Sequence, residues 1–215
     1  MFYIDMHVHT VLGGDSLIRP EEVVPRAREL GLDAVCITEH HSWELSRPFD
    51  RIARRTGFPI LRAMEYRAAE GHLLIYGVRA GKSDFPPGLP MQRVIDTVSK
   101  KGGAAVPAHP FQRGINGTVL GSGVLDLKNI AAIETENGSL LEEENQPARR
   151  AAEKMGLFGT GGSDAHGLQV LGRAYTVFPE PVISEEDLVL ALKKGGFRPG
   201  KKPESGPALQ LSVCK

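Results

Sequence analysis

Asp5-Met6-His7-Val8-His9-Thr10 places two imidazoles two residues apart, directly after a short apolar run. Side chains on an extended chain repeat every second residue, so at a strand end His7 and His9 point the same way. Two adjacent imidazoles suit one soft or borderline metal ion. By itself a His-x-His pair is as easily a chance contact in a core or on a surface. Its company gives it weight. The chain has seven histidines, His7, His9, His40, His41, His72, His109 and His166. Each falls at an expected strand end, and Asp15, Glu39, Glu65, Glu134, Glu136 and Asp164 stand near them.

The elements that must position these groups alternate. Apolar runs predict strands over 2–7, 34–38, 59–64, 72–78, 104–108, 130–135, 158–161 and 174–178. Helical patterns cover 20–30, 47–56, 91–101, 142–155 and 185–194, with Ser184 capping the last and acidic residues filling its first turn. Pro25 is awkward inside the first helix. The connection at 68–71 is too short for a crossover helix, so the strands on either side of it are expected to be antiparallel. The rest implies a mostly parallel sheet, open or closed into a barrel. In α/β folds the carboxyl ends of the strands share one face, where sites form. The glycine-rich stretch 111–128 reads as a long functional loop. One domain over 1–198 and an irregular tail over 199–215 are expected.

Composition narrows the function. With 26 basic and 26 acidic residues the formal net charge is zero, so there is no global field to draw in duplex nucleic acid. Cys36 lies in an apolar strand and Cys214 in the tail, which fits a reducing compartment rather than a disulfide framework. No apolar run approaches the length needed to span a bilayer, and no signal-peptide pattern opens the chain. A cytoplasmic protein is expected, with no membrane association. Nothing in the sequence points to an obligate protein partner.

Taken together, His7-Val-His9-Thr, Asp15, Ile37-Thr-Glu-His40, Glu65, Gly71-His72-Leu-Leu, Ala108-His109-Pro110 and Gly162-Ser-Asp164-Ala-His166 resemble the PHP (polymerase and histidinol phosphatase) superfamily. The motifs run in order from residue 5 to 166 and so cover most of the chain. The resemblance implies a distorted (β/α)7 barrel with a two- or three-metal site at its carboxyl face, close to the small stand-alone phosphoesterases. Carried over position by position, it assigns His7, His9, Glu65 and Asp164 to a first ion. Glu65, shared, with His72 and His109 would hold a second, and Asp15, His40 and His166 a third. Zinc, manganese and iron all suit such mixed donors. Glu39 stands where the family usually has Asp, and is expected to orient a ligand histidine.

The activity implied is hydrolysis of a phosphate ester in a small phosphorylated metabolite or a nucleotide, by a hydroxide bridging two of the ions. Charge supports phosphate. Three divalent ions bring six positive charges and Asp15, Glu65 and Asp164 three negative ones. A phosphate dianion and one hydroxide balance the difference, whereas a neutral amide does not. Around this centre, Arg113 is a candidate phosphate clamp, Arg173, ahead of the last strand, a candidate to reach the site, and His41 a proton donor to the leaving oxygen. Glu136 and Asn137 are candidates for hydrogen bonds to ligand histidines or substrate. Trp43 reads as a barrel cap ahead of a base-stacking platform, and Lys201 and Lys202 as a solvated tail.

Three rivals remain. A phosphodiesterase or nuclease would use the same chemistry, although the chain lacks a basic excess and an aromatic-rich groove. A non-catalytic binding or regulatory module would be marked by lost ligands, and none is lost. Amide hydrolysis on a related barrel usually keeps a metal-bridging lysine at a strand end, and no predicted strand ends in Lys.

Overall fold

The structure, a computed structural model, describes residues 1–113 and 120–202. β1 (Phe2–Val8), α1 (Pro20–Glu29), β2 (Ala34–Ile37), α2 (Phe49–Thr56) and β3 (Ile60–Arg67) form two parallel crossovers. β4 (His72–Tyr76), α3 (Met91–Lys100) and β5 (Ala104–Pro107) follow. β6 (Ile133–Asn137), α4 (Glu142–Met155), β7 (Gly159–Gly162), β8 (Ala174–Phe178), α5 (Glu185–Lys194) and β9 (Arg198–Lys201) complete the described chain.

Two sheets result. Seven strands pair in the order β5-β4-β3-β2-β1-β8-β9, and β6 pairs with β7 alone. β4 is antiparallel to both neighbours, and β8 is antiparallel to β1 and β9. The other strands share one direction, since a parallel bridge from Val8 to Ala165 aligns the β6–β7 pair with β1. Both reversed strands are entered by helix-free links, over 68–71 and 163–173, and a parallel return needs a crossover. The first reversal agrees with the length of its connection, whereas the second departs from the mostly parallel expectation. The outcome is a single α/β domain whose sheet curls into a half-barrel, a distorted TIM-like fold.

Its closure differs from seven repeated β/α units. β5 and β6 are not paired as strands, and Ala131 N–H to Ala105 O, 2.9 Å, bridges the gap. β9 had no apolar pattern to announce it, yet it pairs with β8 from Ala174–Lys201 to Val177–Arg198. Pro199 is tolerated there because β9 is an edge strand. The first residues of the expected tail are therefore sheet, while 203–215, with Cys214, lie outside the described residues. Of the expected loop 111–128, Gly121–Asp126 forms a 3₁₀ helix and 114–119 lie outside the described residues.

Apolar side chains from β1 to β5, among them Ile4, Met6, Cys36, Leu61, Leu74 and Val106, form one buried cluster with Leu188 and Leu192 of α5. α5 packs on β4 and β5, and Tyr76, at the end of β4 away from His72, shares its cluster. One end of the barrel is thereby closed, and the rim at His72 stays available for polar groups. No helix among the described residues is long and apolar enough to cross a membrane.

Candidate metal centre

The bulged end of β1 delivers His7 and His9 side by side, their Nε2 atoms 3.0 Å apart. β3 brings Glu65 between them: its Oε2 lies 3.3 Å from His7 Nε2 and 3.2 Å from His9 Nε2. Asp164, just past β7, sets Oδ1 3.5 Å from both. His7 and His9 are wholly buried. The three spacings among His7, His9 and Glu65, 3.0–3.3 Å, are close to the 3.3–3.4 Å edges of a tetrahedron with bonds of about 2.0–2.1 Å, while Asp164 also groups with His7 and His109.

The other Glu65 oxygen, Oε1, meets His72 Nδ1 at 2.9 Å and His109 Nε2 at 3.0 Å. A third group gathers Asp15, His40 and His166 with His9. Asp15 Oδ2 lies 2.9 Å from His40 Nε2 and 3.5 Å from His166 Nε2. All nine residues expected as ligands thus fall into clusters whose donor atoms lie within 4.8 Å of one another.

Orientation favours a cation. Glu134 Oε1 faces His7 Nδ1 at 3.0 Å and the Asp164 carbonyl faces His166 Nδ1 at 3.1 Å. Each acceptor fixes a proton on Nδ1 and leaves the Nε2 lone pair for coordination. His9 Nδ1 is buried without a hydrogen-bond partner among the described residues, while the His9 ring stacks on His40 and His166 at 4.7 and 4.5 Å between centroids. Burial alone would raise the Glu65 carboxyl, but facing His7, His109 and His72 hold it well below its usual range. Asp164 is lowered too: burial is overcome by the His7 and His109 charges. Burial opposes charge on His7 and His109, yet the surrounding carboxylates raise His7 well above its ordinary value and raise His109 as well. Burial lowers His40 below its ordinary value. A site that gathers protons around ionised carboxylates is one where cations replace protons.

The supporting residues fall differently. Glu39 accepts from the N–H and hydroxyl of Thr10, so it steadies the chain after His9 in place of the expected hydrogen bond to a histidine. Glu136 is turned away from the cluster toward Arg149 and toward Lys201, whose Nζ lies 3.2 Å from it. Asn137 reaches carboxylates, Glu134 and Asp164, rather than histidines. Lys201 and Lys202 are not a solvated tail: Lys202 N–H donates to Arg173 O at 2.8 Å, and its Nζ to Leu30 O. A strand does end in Lys, at Lys201 of β9, but that lysine serves Glu136.

Trp43 is buried against Arg62, whose Cζ sits 3.4 Å from the ring centroid, with Arg79 at 4.7 Å. The indole is therefore covered by guanidinium groups. Arg113 anchors its backbone N–H to Glu144 Oε1 at 2.7 Å and leaves its side chain exposed. Arg173 is exposed and donates from Nε to Gln169 O at 3.2 Å. Among the described residues neither guanidinium pairs with a carboxylate of the cluster. His41 lies beside the cluster: its ring centroid is 6.2 Å from that of His40 and 5.7 Å from that of Tyr66, and its Nδ1 has no partner among the described residues. Burial, then the Lys82 charge, hold its imidazole below the ordinary value.

Two carboxylates carry more than the sequence indicated. Glu134 holds His7 Nδ1 with one oxygen and the His109 backbone N–H, at 2.8 Å, with the other. Asp5 accepts from the N–H groups of Ser163 and Gly172, both at 2.8 Å, and of His7 at 3.2 Å. Asp5 thereby fastens β1 to the loop that bears Asp164 and His166, and burial raises its carboxyl to about 6. Only glycine fits at 162, because a Cβ there would lie 2.9 Å from the His7 backbone nitrogen and 3.0 Å from Glu134 Oε1.

Comparison with known proteins agrees with this geometry. Residues 5–152 match the PHP domain and residues 142–196 the PHP-associated family. An uncharacterized protein of Methanocaldococcus jannaschii is 25% identical over 117 residues, 50% of this chain and 67% of that one. A two-domain protein of Bacteroides vulgatus containing a predicted PHP-like metal-dependent phosphoesterase superposes with a TM-score of 0.69 at 21% identity. That alignment covers 93% of this chain and 64% of the other, so the chain spans under two thirds of that protein. A lesion-specific endonuclease of Pyrococcus furiosus has a TM-score of 0.61 at 16% identity, over 92% of this chain and 57% of its own. With the match to residues 5–152 covering more than half of the chain and every ligand candidate except Asp164 and His166, the chain belongs to the PHP domain family.

Proposed function

We propose that the protein is a metal-dependent phosphoesterase acting on a small phosphorylated metabolite or nucleotide. The observation that carries this is Glu65. Its two oxygens, buried together, each face a separate set of imidazoles, His7, His9 and His40 on one side and His72 and His109 on the other. One carboxylate so placed suits a bridge between two cations, the arrangement of two-metal hydrolysis. In this reading His7, His9, Glu65 and Asp164 hold one ion, Glu65, His72 and His109 a second, and Asp15, His40 and His166 a third. Bound divalent ions there would acidify water and neutralise phosphate oxygens. Asp15 and His166 are the most open of these residues, 38% and 41% exposed at the side chain, so substrate would enter on their side. Glu134, itself buried, adds a fourth carboxylate beside the cluster. Three divalent ions against four carboxylates would leave two positive charges, so an anionic phosphate and the attacking hydroxide are favoured there over a neutral amide. His41 is the candidate proton donor to the leaving oxygen, and Arg113 and Arg173 are candidates to reach the ester's outer oxygens.

The test is phosphate release from sugar phosphates, histidinol phosphate and mono-, bis- and dinucleotides, with zinc, manganese or iron added in turn. Metal-stimulated release from a monoester, lost in Asp164→Asn, is expected. Cleavage only of diesters or oligonucleotides would favour the second reading, a nuclease, which the fold shared with the Pyrococcus endonuclease supports. Cleavage of nothing with ions bound would turn the assignment to a binding module.

A further inference from the structure

Asp164 has a left-handed backbone, φ +51°, so strand geometry alone does not aim its carboxylate. Its Oδ1 faces His7 and His9, and its Oδ2 accepts from Asn137 Nδ2 at 3.3 Å. The same amide donates to Glu134 Oε2 at 3.0 Å. Asn137 Oδ1 accepts from Ser139 N–H at 2.9 Å, which fixes the amide with nitrogen toward the two carboxylates. One neutral group thus restrains Asp164 directly, and His7 and His109 through Glu134.

Asn137 is itself held from outside the sheet. It ends β6, which among the described residues pairs only with β7, and its own N–H and C=O both go to Asn145 of α4. Asn145 Oδ1 accepts from Asn137 N–H at 2.9 Å, and Asn145 Nδ2 donates to Asn137 O at 3.0 Å and to Glu136 Oε1 at 3.3 Å. The side-chain amide does what a neighbouring strand would do. Asn145 is only 2% exposed, an unusual place for a helical asparagine. The preceding residue, Glu144, pins Arg113 N–H beyond His109, so one turn of α4 restrains both flanks of the cluster.

We infer that Asn145 and Asn137 are positioning residues, two amides in series that set the Asp164 and Glu134 carboxylates for a divalent cation. The inference rests on the metal-centre reading above. Amides suit the task because they orient a carboxylate without neutralising it, which an arginine or lysine would do. The cation then meets the full negative charge.

The test measures zinc binding to the whole chain by competition with a chromophoric chelator, together with the visible spectrum of the cobalt-loaded protein. Asn145→Ala is expected to weaken the tightest site about 10–100-fold and to alter the cobalt spectrum. Ala151→Gly, which weakens α4 at a buried position away from Asn137, should change neither. In the double variant, Asn145→Ala should add nothing to the loss caused by Asn137→Ala, because it acts through Asn137. Unchanged zinc binding in Asn145→Ala, an equal loss in Ala151→Gly, or fully additive losses would each overturn the inference. If Asn145→Ala does not fold, Asn145→Ser is held to the same outcomes. A wild-type chain that binds no ion would overturn the metal-centre reading along with it, whereas strong wild-type binding indifferent to position 145 removes only this proposal.

Discussion

Asp164 and Glu134 differ in what they touch, and the difference sets the size of the expected losses. Asp164 offers an oxygen directly to the group formed with His7, His9 and Glu65, while Glu134 acts through His7 Nδ1 and the His109 backbone. Asp164→Asn keeps a residue type that tolerates left-handed φ, so the fold should persist while metal binding at that group and phosphate release both fall to background. Glu134→Gln should weaken metal binding by only about 10–100-fold. Equal losses in the two, by calorimetric titration with zinc, would erase the distinction. The pH response follows from His7 and His109, both raised by neighbouring carboxylates. A raised folded pKa gives metal-free stability that is complete below about 6.5, the unfolded value, and is lost as pH climbs through the folded one. His40 and His41, both lowered, act below that range, and Asp5 acts between 3.8 and about 6. From pH 7 to 9 the metal-free Tm should therefore decline, and zinc should raise Tm more at the upper end, where no proton competes. A metal-free Tm that climbs across this window would contradict the assignment. The nine ligand candidates were legible because histidine and carboxylate at strand ends are uncommon without a purpose. Asn145 was not: an asparagine inside an acidic helical stretch reads as solvated, and only tertiary contact reveals its partner.

Among the elements, α1 carries an avoidable cost. Pro25 lies six residues into Pro20–Glu29, is exposed, and removes a helical N–H. The helix continues regardless because Val23, Val24 and Ala27 are buried beneath it. Pro25→Ala should stabilise the protein by about 1–3 kcal/mol with no change in metal affinity, as read by urea denaturation. Loss of stability instead would mean that the proline's rigidity in the unfolded chain outweighs its strain. The helices and most strands were legible from periodicity and from end signals such as the Ser184 cap, which accepts from Asp187 N–H at 3.0 Å. The reversal of β4 followed from a short connection. The reversal of β8 was hidden behind an eleven-residue link, 163–173, whose lack of a helix gave the only clue. β9 was illegible because Arg-Pro-Gly-Lys has no strand pattern, and its place is decided by β8 having an unpaired edge.

At the scale of the molecule, the candidate metal groups lie across the seams of the barrel. β6 and β7 form a separate pair beside the seven-stranded sheet. On one side the pair meets β1 through Asp164 N–H to His7 O, 2.8 Å, and His9 N–H to Ala165 O, 3.1 Å. On the other it meets β5 through Ala131 N–H to Ala105 O, 2.9 Å, and through Glu134 to the His109 N–H, 2.8 Å. The ligand candidates come from both bodies: His7, His9, Glu65, His72 and His109 from the main sheet, Asp164 from the end of β7. Cations there would join the pair to the sheet at the point where backbone hydrogen bonds are fewest. Each site held at a free-metal concentration about 100 times its Kd adds about 2.7 kcal/mol to the folded state. Part of that should appear locally, since opening a seam needs less than global unfolding. Chelation should therefore speed amide exchange in Ile133–Asn137 and Gly159–Gly162 well before it does so in β2 and β3, which lie inside the continuous ladder. Hydrogen exchange of the zinc-loaded and chelated protein measures this directly. A uniform rise across all strands would mean that the ions stabilise the barrel as one body, and that the seams are closed by backbone and side-chain contacts alone.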